Sequence, residues 1–290
     1  MNRIKRLAPA IAIACALNGA SIACAQRAAD GPNPNAPLPV RLYTLDCGLT
    51  EFKDGDVFAD TGEYEGKPLA LPTPCYLIQH GRDWVLWDTG LGDQLAAEPN
   101  GVEKFGAHFS VHRTLVSQLA QVGLKPDDIH YVGLSHLHFD HSGNIGLFQK
   151  STFIIPASEL AAARSRPPPF GVDPAQIAPL DQATLISTDG DYDIFGDGTV
   201  KTLKTPGHTP GHHSLIVKLP KSGVVLITGD LYHTRQNYEK GLVPRINDRP
   251  NTQASMNRFA GIKANTNARV VIQHAPEDYA AMPAFPKFLD

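Results

Sequence analysis

The sequence lacks an excess of basic residues and has no polybasic patch. Its 26 lysines and arginines stand against 29 aspartates and glutamates, which gives a formal net charge of −3. Proteins that hold nucleic acid or lie on anionic membranes need a basic face, because the phosphates they bind are negatively charged. The charge balance therefore argues against both classes of partner.

The sequence also lacks an apolar run near its start that is long enough to span a membrane, because Leu7–Leu17 falls short of the roughly 20 residues required. Basic residues precede this run and the small residues Ala23–Ala25 follow it, a pattern typical of a secretory signal peptide. We therefore predict a cleaved signal peptide over residues 1–25 and a periplasmic or secreted protein. A lipoprotein anchor at Cys24 is the less favoured alternative, because Ser21 is an unusual start for a lipoprotein signal.

Cysteine is scarce as well. Cys15 and Cys24 lie in the predicted signal peptide, which leaves Cys47 and Cys75 in the mature chain. Neither has a metal-type partner pattern, so cysteine catalysis is not expected. Each lies beside a predicted strand, and an oxidising compartment permits a disulfide between them. Two buried free thiols are an equal alternative.

The remaining chain has a simple organisation. A Pro-rich linker covers residues 26–39, and residues 40–290 form one domain. Strand and helix patterns alternate in two similar halves, which suits an α/β (α+β) fold built as a four-layer αββα sandwich with its site along one edge of the sheets. The predicted strands are Val40–Leu45, Cys75–Gln79, Trp84–Asp88, Ile129–Ser135, Thr152–Ile155, Val200–Lys204, Gly223–Thr228 and Arg269–Gln273, and the predicted helices are Thr114–Val122, Ser158–Arg164 and Thr252–Ala264.

Four metal-capable side chains fall within six residues at the end of one predicted strand, in the segment HLHFDH. Two histidines separated by one residue can turn to the same side of an extended backbone, so His136 and His138 can hold one ion. Asp140 and His141 follow where the chain turns and can serve a second ion nearby. Zinc accepts imidazole and carboxylate, and a catalytic site keeps one position open for water. The segment therefore predicts a metal-dependent hydrolase.

Three later strands each end in one more residue of ligand type. His208 follows VKTLK through a Pro-Gly turn, Asp230 follows GVVLIT, and His274 follows RVVIQ. Singly, each has an ordinary explanation, a turn or helix cap for the aspartate and a structural role for the histidines. Together they predict a larger metal centre.

This pattern, HxHxDH followed by a His, an Asp and a His, resembles the metallo-β-lactamase superfamily from about Val40 to the C-terminus. The resemblance implies the metallo-β-lactamase sandwich and two divalent metal ions, with Zn²⁺ favoured and Fe, Co or Mn as alternatives. It implies that His136, His138 and His208 hold the first metal, that Asp140, His141 and His274 hold the second, and that Asp230 bridges them. Asp88, in the turn after Trp84–Trp87, would support the site from behind, and an ordinary Asp-Thr-Gly turn is the alternative.

Several flanking stretches are similar to secreted members of the N-acyl homoserine lactonase family. They are Cys75–Ile78, Trp87–Gly90, Gly229–His233 and Ile272–Asp278. The resemblance implies a small lactone or ester substrate whose ring opens by attack of a hydroxide that the two metals share. Asp140 would then carry a proton to the leaving group.

Family members place a tyrosine three residues after the bridging aspartate, where its hydroxyl contacts the lactone carbonyl. Here Tyr232 is two residues on and His233 is three, so both are catalytic candidates. A ring packed against the sheet is an equal alternative for Tyr232. Phe105, Phe109 and Phe170 could form an apolar wall for an acyl chain or belong to a satellite core. The sequence leaves the oligomeric state open, a homodimer included.

Rival activities share the motif. A phosphotriesterase of the methyl parathion hydrolase type has a similar Gly-Asp-Leu-x-His stretch and is the strongest rival. Asp230 counts against a periplasmic metallo-β-lactamase of the third subclass, which does not use a bridging aspartate. The complete second-site set, Asp140, His141 and His274, counts against iron-dependent persulfide oxidation and against a binding module that has lost its ligands.

Overall fold

The structure, a computed structural model, describes residues 38–104 and 106–290. The predicted signal peptide over residues 1–25, the linker up to residue 37, Cys24 and Phe105 all lie outside the described residues. Within the described ranges, no helix combines the length and the apolar character needed to cross a membrane.

The described residues form strands and helices joined by turns and short 3-10 segments. The strands are β1 Val40–Phe52, β2 Leu69–His80, β3 Asp83–Trp87, β4 Val102–Lys104, β5 Ala107–Ser110, β6 Tyr131–Gly133, β7 Thr152–Ile154, β8 Thr184–Ile186, β9 Tyr192–Asp193, β10 Val200–Lys204, β11 His213–Leu219, β12 Gly223–Ile227, β13 Arg269–Val271 and β14 Phe288–Leu289. The α-helices are α1 Leu115–Gln121, α2 Phe139–Ser142, α3 Ala157–Ala163, α4 Pro174–Ile177, α5 Arg235–Lys240, α6 Arg249–Thr266 and α7 Pro276–Ala281.

The first sheet has the strand order β4-β5-β1-β2-β3-β6-β7-β8, and β14 pairs with β1. Its first strands pair antiparallel, whereas β3, β6, β7 and β8 run parallel to one another. The carboxyl ends of β3 and β6 therefore lie at the same edge. Asp88 follows the first of these ends and His136 follows the second.

The second sheet has the order β13-β12-β11-β10-β9. Strands β10, β11 and β12 pair antiparallel in turn, and β12 pairs parallel with β13. Strands β10, β12 and β13 therefore point the same way, and their carboxyl ends share one edge. His208, Asp230 and His274 follow these three ends, as the strand patterns predicted.

Alternating side chains build the four layers. In β11, Leu215 and Val217 face the first sheet, where they share an apolar cluster with Trp87, whereas Ile216 between them packs with Phe259 of α6 on the outer side. This alternation is the period of two that a strand imposes. Helices α1 and α3 cover the outer face of the first sheet through Leu115, Leu119 and Leu160. The predicted αββα sandwich is confirmed.

The first hairpin differs from the prediction. The strands expected over Val40–Leu45 and Cys75–Gln79 belong to β1 and β2, which extend to Phe52 and begin at Leu69. The pairing shifts register between Asp46 and Leu49, where Gly48 adopts a φ of 136°. Such an irregularity interrupts the alternation from which a strand is recognised, so the sequence pattern ended the first strand too early.

Cys47 and Cys75 form a disulfide between β1 and β2, with their Cα atoms 5.8 Å apart. Both residues are buried, at 3% and 0% exposure. The structure therefore contains the disulfide, one of the two alternatives that the sequence left open, and not two free thiols. The bond joins the two ends of the connection between β1 and β2. It lies beside the turn that carries Asp88, because the Leu91 N–H donates a hydrogen bond to the Cys47 carbonyl.

Removing this disulfide should destabilise the fold. A Cys47→Ala, Cys75→Ala double variant is expected to lose about 3–4 kcal/mol of unfolding free energy, because the bond closes a loop of 28 residues in the unfolded chain. Urea unfolding followed by tryptophan fluorescence measures the loss. Reductant should lower the stability of the wild type and leave the double variant unchanged. Equal stability of the oxidised wild type and the variant would contradict a stabilising bond.

Candidate metal centre

The candidate ligands lie at strand ends and in the short helix that follows β6. His136 leaves the end of β6, and His138 is the N-cap of α2, whose first turn carries Asp140 and His141. His208, Asp230 and His274 come from the loops after β10, β12 and β13. His136 and His141 are completely buried. The seven residues predicted as ligands therefore come together at one edge of the sandwich.

His136, His138 and His208 form the first cluster. His208 Nε2 lies 3.1 Å from His136 Nε2 and 2.9 Å from His138 Nδ1. Three imidazole nitrogens at this spacing are the donor set that Zn²⁺ accepts.

Asp140, His141 and His274 form the second cluster. The two imidazoles approach through their Nε2 atoms, 3.3 Å apart, and Asp140 Oδ2 lies 3.6 Å from His141 Nε2. Asp140 is more exposed than the two histidines, with 18% of its side chain accessible. Its carboxylate therefore reaches both the cluster and the open cavity above it.

Asp230 lies between the clusters and faces each with a different oxygen. Its Oδ2 is 3.3 Å from His208 Nε2 and 3.7 Å from His136 Nε2, in the first cluster. Its Oδ1 is 3.0 Å from His274 Nε2 and 3.2 Å from His141 Nε2, in the second. A carboxylate in this position can bridge two cations.

Hydrogen bonds on the outer side of the rings test whether this donor set suits a metal. The outer Nδ1 atoms of four histidines face acceptors: Ser135 Oγ at 3.0 Å from His136, Asp88 Oδ2 at 2.8 Å from His141, Asn247 Oδ1 at 3.0 Å from His208, and the Pro72 carbonyl at 2.8 Å from His274. These acceptors hold a proton on Nδ1 and direct each Nε2 inward, where the neutral ring can bind a cation. Ring nitrogens about 3 Å apart, with carboxylate oxygens beside them, form the mixed nitrogen and oxygen donor set that such cations accept. The residues therefore fit two divalent metal ions.

Asp88 supports the metal centre through hydrogen bonds to residues on its outer side. Its carboxylate accepts hydrogen bonds from the Ser135 backbone N–H at 2.7 Å, from His141 Nδ1 at 2.8 Å and from Gln273 Nε2 at 2.7 Å. The backbone of Asp88 has a φ of 59°, which is incompatible with a strand. Strand β3 therefore ends at Trp87, one residue before the predicted end at Asp88. Aspartate tolerates this left-handed conformation better than most residues. Gln273 was not predicted, and its position directly before His274 was the available signal.

His212 supports the bridging aspartate. Its Nδ1–H donates to the Thr205 carbonyl at 2.9 Å, and its Nε2 accepts from the Asp230 backbone N–H at 2.8 Å. Burial lowers the pKa of His212 to about 3, so the ring stays neutral and can accept this bond. Gly229 passes so close that a Cβ there would meet His212 Nε2 at 2.6 Å. The neutral ring therefore fixes the backbone at Asp230.

The pKa values of histidines in the two clusters are shifted in opposite directions. Burial lowers the pKa of His138 and of His208 to about 3 each, so both remain neutral ligands. For His141, burial acts in the same direction, but nearby carboxylates outweigh it and hold its pKa well above the ordinary value. Burial would raise the pKa of Asp230, but the surrounding histidines outweigh it and hold that pKa well below the ordinary value. The carboxylates of Asp230, Asp140 and Asp88 therefore favour positive charge at the position of His141.

The two catalytic candidates that follow Asp230, Tyr232 and His233, point in opposite directions. His233 turns toward the centre, with Nε2 3.0 Å from Asp230 Oδ2. Tyr232 is in extended backbone, with φ −141° and ψ 133°, so its side chain points the opposite way. It packs in the core against Tyr238 and Phe259. Of the two alternatives that the sequence left equally open for Tyr232, the packed ring is therefore the one found in the structure.

A largely apolar cavity of about 140 Å³ opens above the two clusters. Phe109 and Phe170, both predicted as wall residues, line it, and the third, Phe105, lies outside the described residues. Phe170 is 67% exposed at the rim. Sequence reasoning missed the other apolar lining residues, which are Phe52, Val57, Phe58, Leu71, Phe139 and Ile246.

Comparisons with known proteins agree with this geometry. A family model described as the metallo-beta-lactamase superfamily matches residues 69–274. An N-acyl homoserine lactonase of Azorhizobium caulinodans is 31% identical over 265 residues, covering 87% of this chain and 99% of that protein.

Solved structures are similar over the same extent. An N-acyl homoserine lactone hydrolase with the product N-hexanoyl-L-homoserine bound at its catalytic metal centre has a TM-score of 0.75 and 27% identity, covering 87% of this chain and 100% of that one. A mutant of AiiA from Bacillus thuringiensis with N-decanoyl-L-homoserine bound at the active site has a TM-score of 0.75 and 26% identity, with coverages of 87% and 100%.

Neutralising the central carboxylate should release metal. Asp230→Asn keeps the side-chain shape but removes the negative charge that faces both clusters, so we expect fewer than two metal equivalents per chain. The loss of affinity should exceed the roughly 10–100-fold that removal of an outer hydrogen-bond partner costs. Elemental analysis after dialysis against a weak chelator measures it. Tyr232→Phe is the matched control and should keep both metals. Equal metal content in the two variants would show that Asp230 does not bridge.

Proposed function

The chain belongs to the metallo-β-lactamase superfamily, and from this membership we propose that it is a metal-dependent hydrolase that opens the lactone ring of N-acyl homoserine lactones. The observation that carries the proposal is an apolar cavity that ends directly on a centre of two ligand clusters joined by Asp230. The relatives named as lactonases, and the products bound in the related structures, support this substrate class.

The chemistry of ring opening needs a nucleophile at neutral pH and a polarised carbonyl. Two bound divalent cations, proposed to be zinc, supply both by lowering the pKa of water and by withdrawing electrons from the carbonyl oxygen. His136, His138 and His208 would hold one cation, Asp140, His141 and His274 the other, and Asp230 both.

Asp140 is the proposed proton carrier. Its partly exposed carboxylate lines the cavity and lies at the edge of the second cluster. It accepts the proton released when water adds to the lactone carbonyl carbon. When the ring C–O bond breaks, the leaving oxygen takes that proton and becomes the hydroxyl group of the acyl homoserine product.

His233 is the proposed contact for the lactone carbonyl. It lines the cavity, and its ring lies 5.0 Å from that of Phe58 and is stacked parallel to that of His274. A hydrogen bond donated by the imidazole ring to the carbonyl oxygen would strengthen as negative charge develops there. In this chain a histidine would therefore do what a tyrosine does in the family members that carry one three residues after the bridging aspartate.

The acyl chain would lie along the apolar wall. Phe58, Leu71 and Phe109 form its buried part, and Val57 and Ile246 form its more exposed rim. Thr50 is the one lining residue from the described chain that is neither apolar nor one of the histidines and aspartates of the centre. A surface of this kind stabilises a hydrocarbon chain by about 25 cal/mol for each Å² that it buries.

We also propose that the protein acts in the periplasm or outside the cell. The signal peptide pattern of residues 1–25 and the disulfide between Cys47 and Cys75 support an oxidising compartment.

A substrate panel tests the proposed function. The metal-loaded protein should hydrolyse N-acyl homoserine lactones, with decanoyl preferred over butanoyl because the wall is apolar. Proton release at constant pH follows the opening of the ring. Paraoxon, nitrocefin and glutathione persulfide represent the rival activities. Strong turnover of any of these without lactone turnover would overturn the proposal.

A substitution of His233 tests its role separately. His233→Phe keeps an aromatic ring beside His274 but removes the hydrogen-bond donor, so kcat for lactones should fall by about 100-fold or more while both metals stay bound. Tyr232→Phe should leave kcat within about twofold of the wild type. If kcat survives in His233→Phe, or if metal is lost with it, His233 does not act as the carbonyl donor.

A further inference from the structure

Glu159 is a buried carboxylate that the proposed mechanism does not use. It lies in α3 and is 1% exposed. No lysine or arginine pairs with it among residues 38–104 and 106–290. Burying a carboxylate is costly unless hydrogen bonds compensate the loss of hydration, so its contacts indicate what it does.

The two oxygens of Glu159 bind two different loops. Oε1 accepts a hydrogen bond from the Leu137 backbone N–H at 2.9 Å, and Oε2 accepts one from the Gly211 backbone N–H at 3.0 Å. Leu137 lies between His136 and His138, and Gly211 lies three residues after His208. One carboxylate therefore holds together the two loops that supply all three histidines of the first cluster.

The contact at Gly211 is as close as the backbone permits. A Cβ at residue 211 would meet the Glu159 backbone nitrogen and Cβ at 2.5 Å each. Only glycine allows the loop to approach α3 closely enough for this hydrogen bond. The His213 N–H also donates to the Ser135 carbonyl at 2.9 Å, so the same two loops are joined on the other side of His136 as well.

The ligands of the second cluster are held by other groups. His141 is fixed by Asp88, and its carbonyl accepts from the Thr89 N–H at 2.7 Å. His274 is fixed by the Pro72 carbonyl. A substitution of Glu159 should therefore alter the positions of the ligands in the first cluster more than those in the second.

We propose that Glu159 is a positioning residue for the first metal, which sets the distance between the His136–His138 loop and the loop of His208. The inference rests on the metal centre of the proposed function but not on its substrate. Glu159 touches neither metal nor substrate in this role and acts through the two backbone N–H groups.

The test is a change that preserves the size of the side chain. In Glu159→Gln, the amide has one acceptor oxygen, so one of the two backbone N–H groups faces an NH₂ group instead. The loop on that side should shift, and affinity at one of the two metal sites should fall by about 10–100-fold while the other stays within about threefold. Zn²⁺ competition with a chromophoric chelator, together with elemental analysis, gives both affinities.

Double variants identify which site is affected. In a His274→Ala background, whose remaining metal lies in the first site, Glu159→Gln should cause the full loss of affinity. In a His208→Ala background, whose remaining metal lies in the second, it should cause almost none. An equal effect in the two backgrounds, or none in either, overturns the proposal.

Leu160→Ala separates positioning from simple loss of stability. Leu160 is the next residue of α3 and packs in the core, so this variant should lower Tm but keep both metal affinities. If Glu159→Gln does not fold, Glu159→Asp serves instead, because its shorter arm keeps the charge but cannot reach both N–H groups. Wild-type affinities in Glu159→Asp would then overturn the proposal. A wild type that binds two metals without hydrolysing lactones would sink the proposed substrate and leave this inference standing.

Discussion

The convergence of imidazole nitrogens on a buried carboxylate is the constraint on which the site depends. Asp230 presents one oxygen to each cluster, and the Nε2 atoms of His141 and His274 approach to 3.3 Å. These nitrogen and oxygen atoms would hold two divalent cations, one in each cluster. The sheets, the turns and the outer hydrogen bonds can therefore be understood as the means by which these groups are held in place.

Two kinds of support hold the groups in that arrangement. Side chains fix ring orientation, since Asp88 and Asn247 accept the outer protons of His141 and His208. Other groups fix backbone position, since His212 accepts the N–H of Asp230. Asp88 and His212 are buried, so a loosening of either would leave its partner without water to replace the lost hydrogen bond.

The sequence predicted the ligands better than their supports, for a physical reason. His208, Asp230 and His274 each follow a local strand pattern, and a strand end can be recognised from neighbouring residues alone. Gln273 and Asn247 act on Asp88 and His208, which are far away along the chain, so a local pattern does not reveal what they contact. Tyr232 shows the limit even at short range, because counting residues from Asp230 left two candidates that only the extended backbone could separate.

The position of the apolar cavity wall also depends on contacts between residues that are far apart along the chain. Phe58 lies in the loop between β1 and β2, and its carbonyl accepts a hydrogen bond from Asn237 Nδ2 at 2.8 Å in α5. Tyr64 of the same loop is hydrogen-bonded to Thr234, the residue that caps α5 and directly follows His233. The chain segment that leaves the bridging aspartate therefore also anchors the apolar wall. Substrate contacts and metal ligands share this segment, so the position of the wall is set relative to the reacting centre by hydrogen bonds rather than by apolar packing alone.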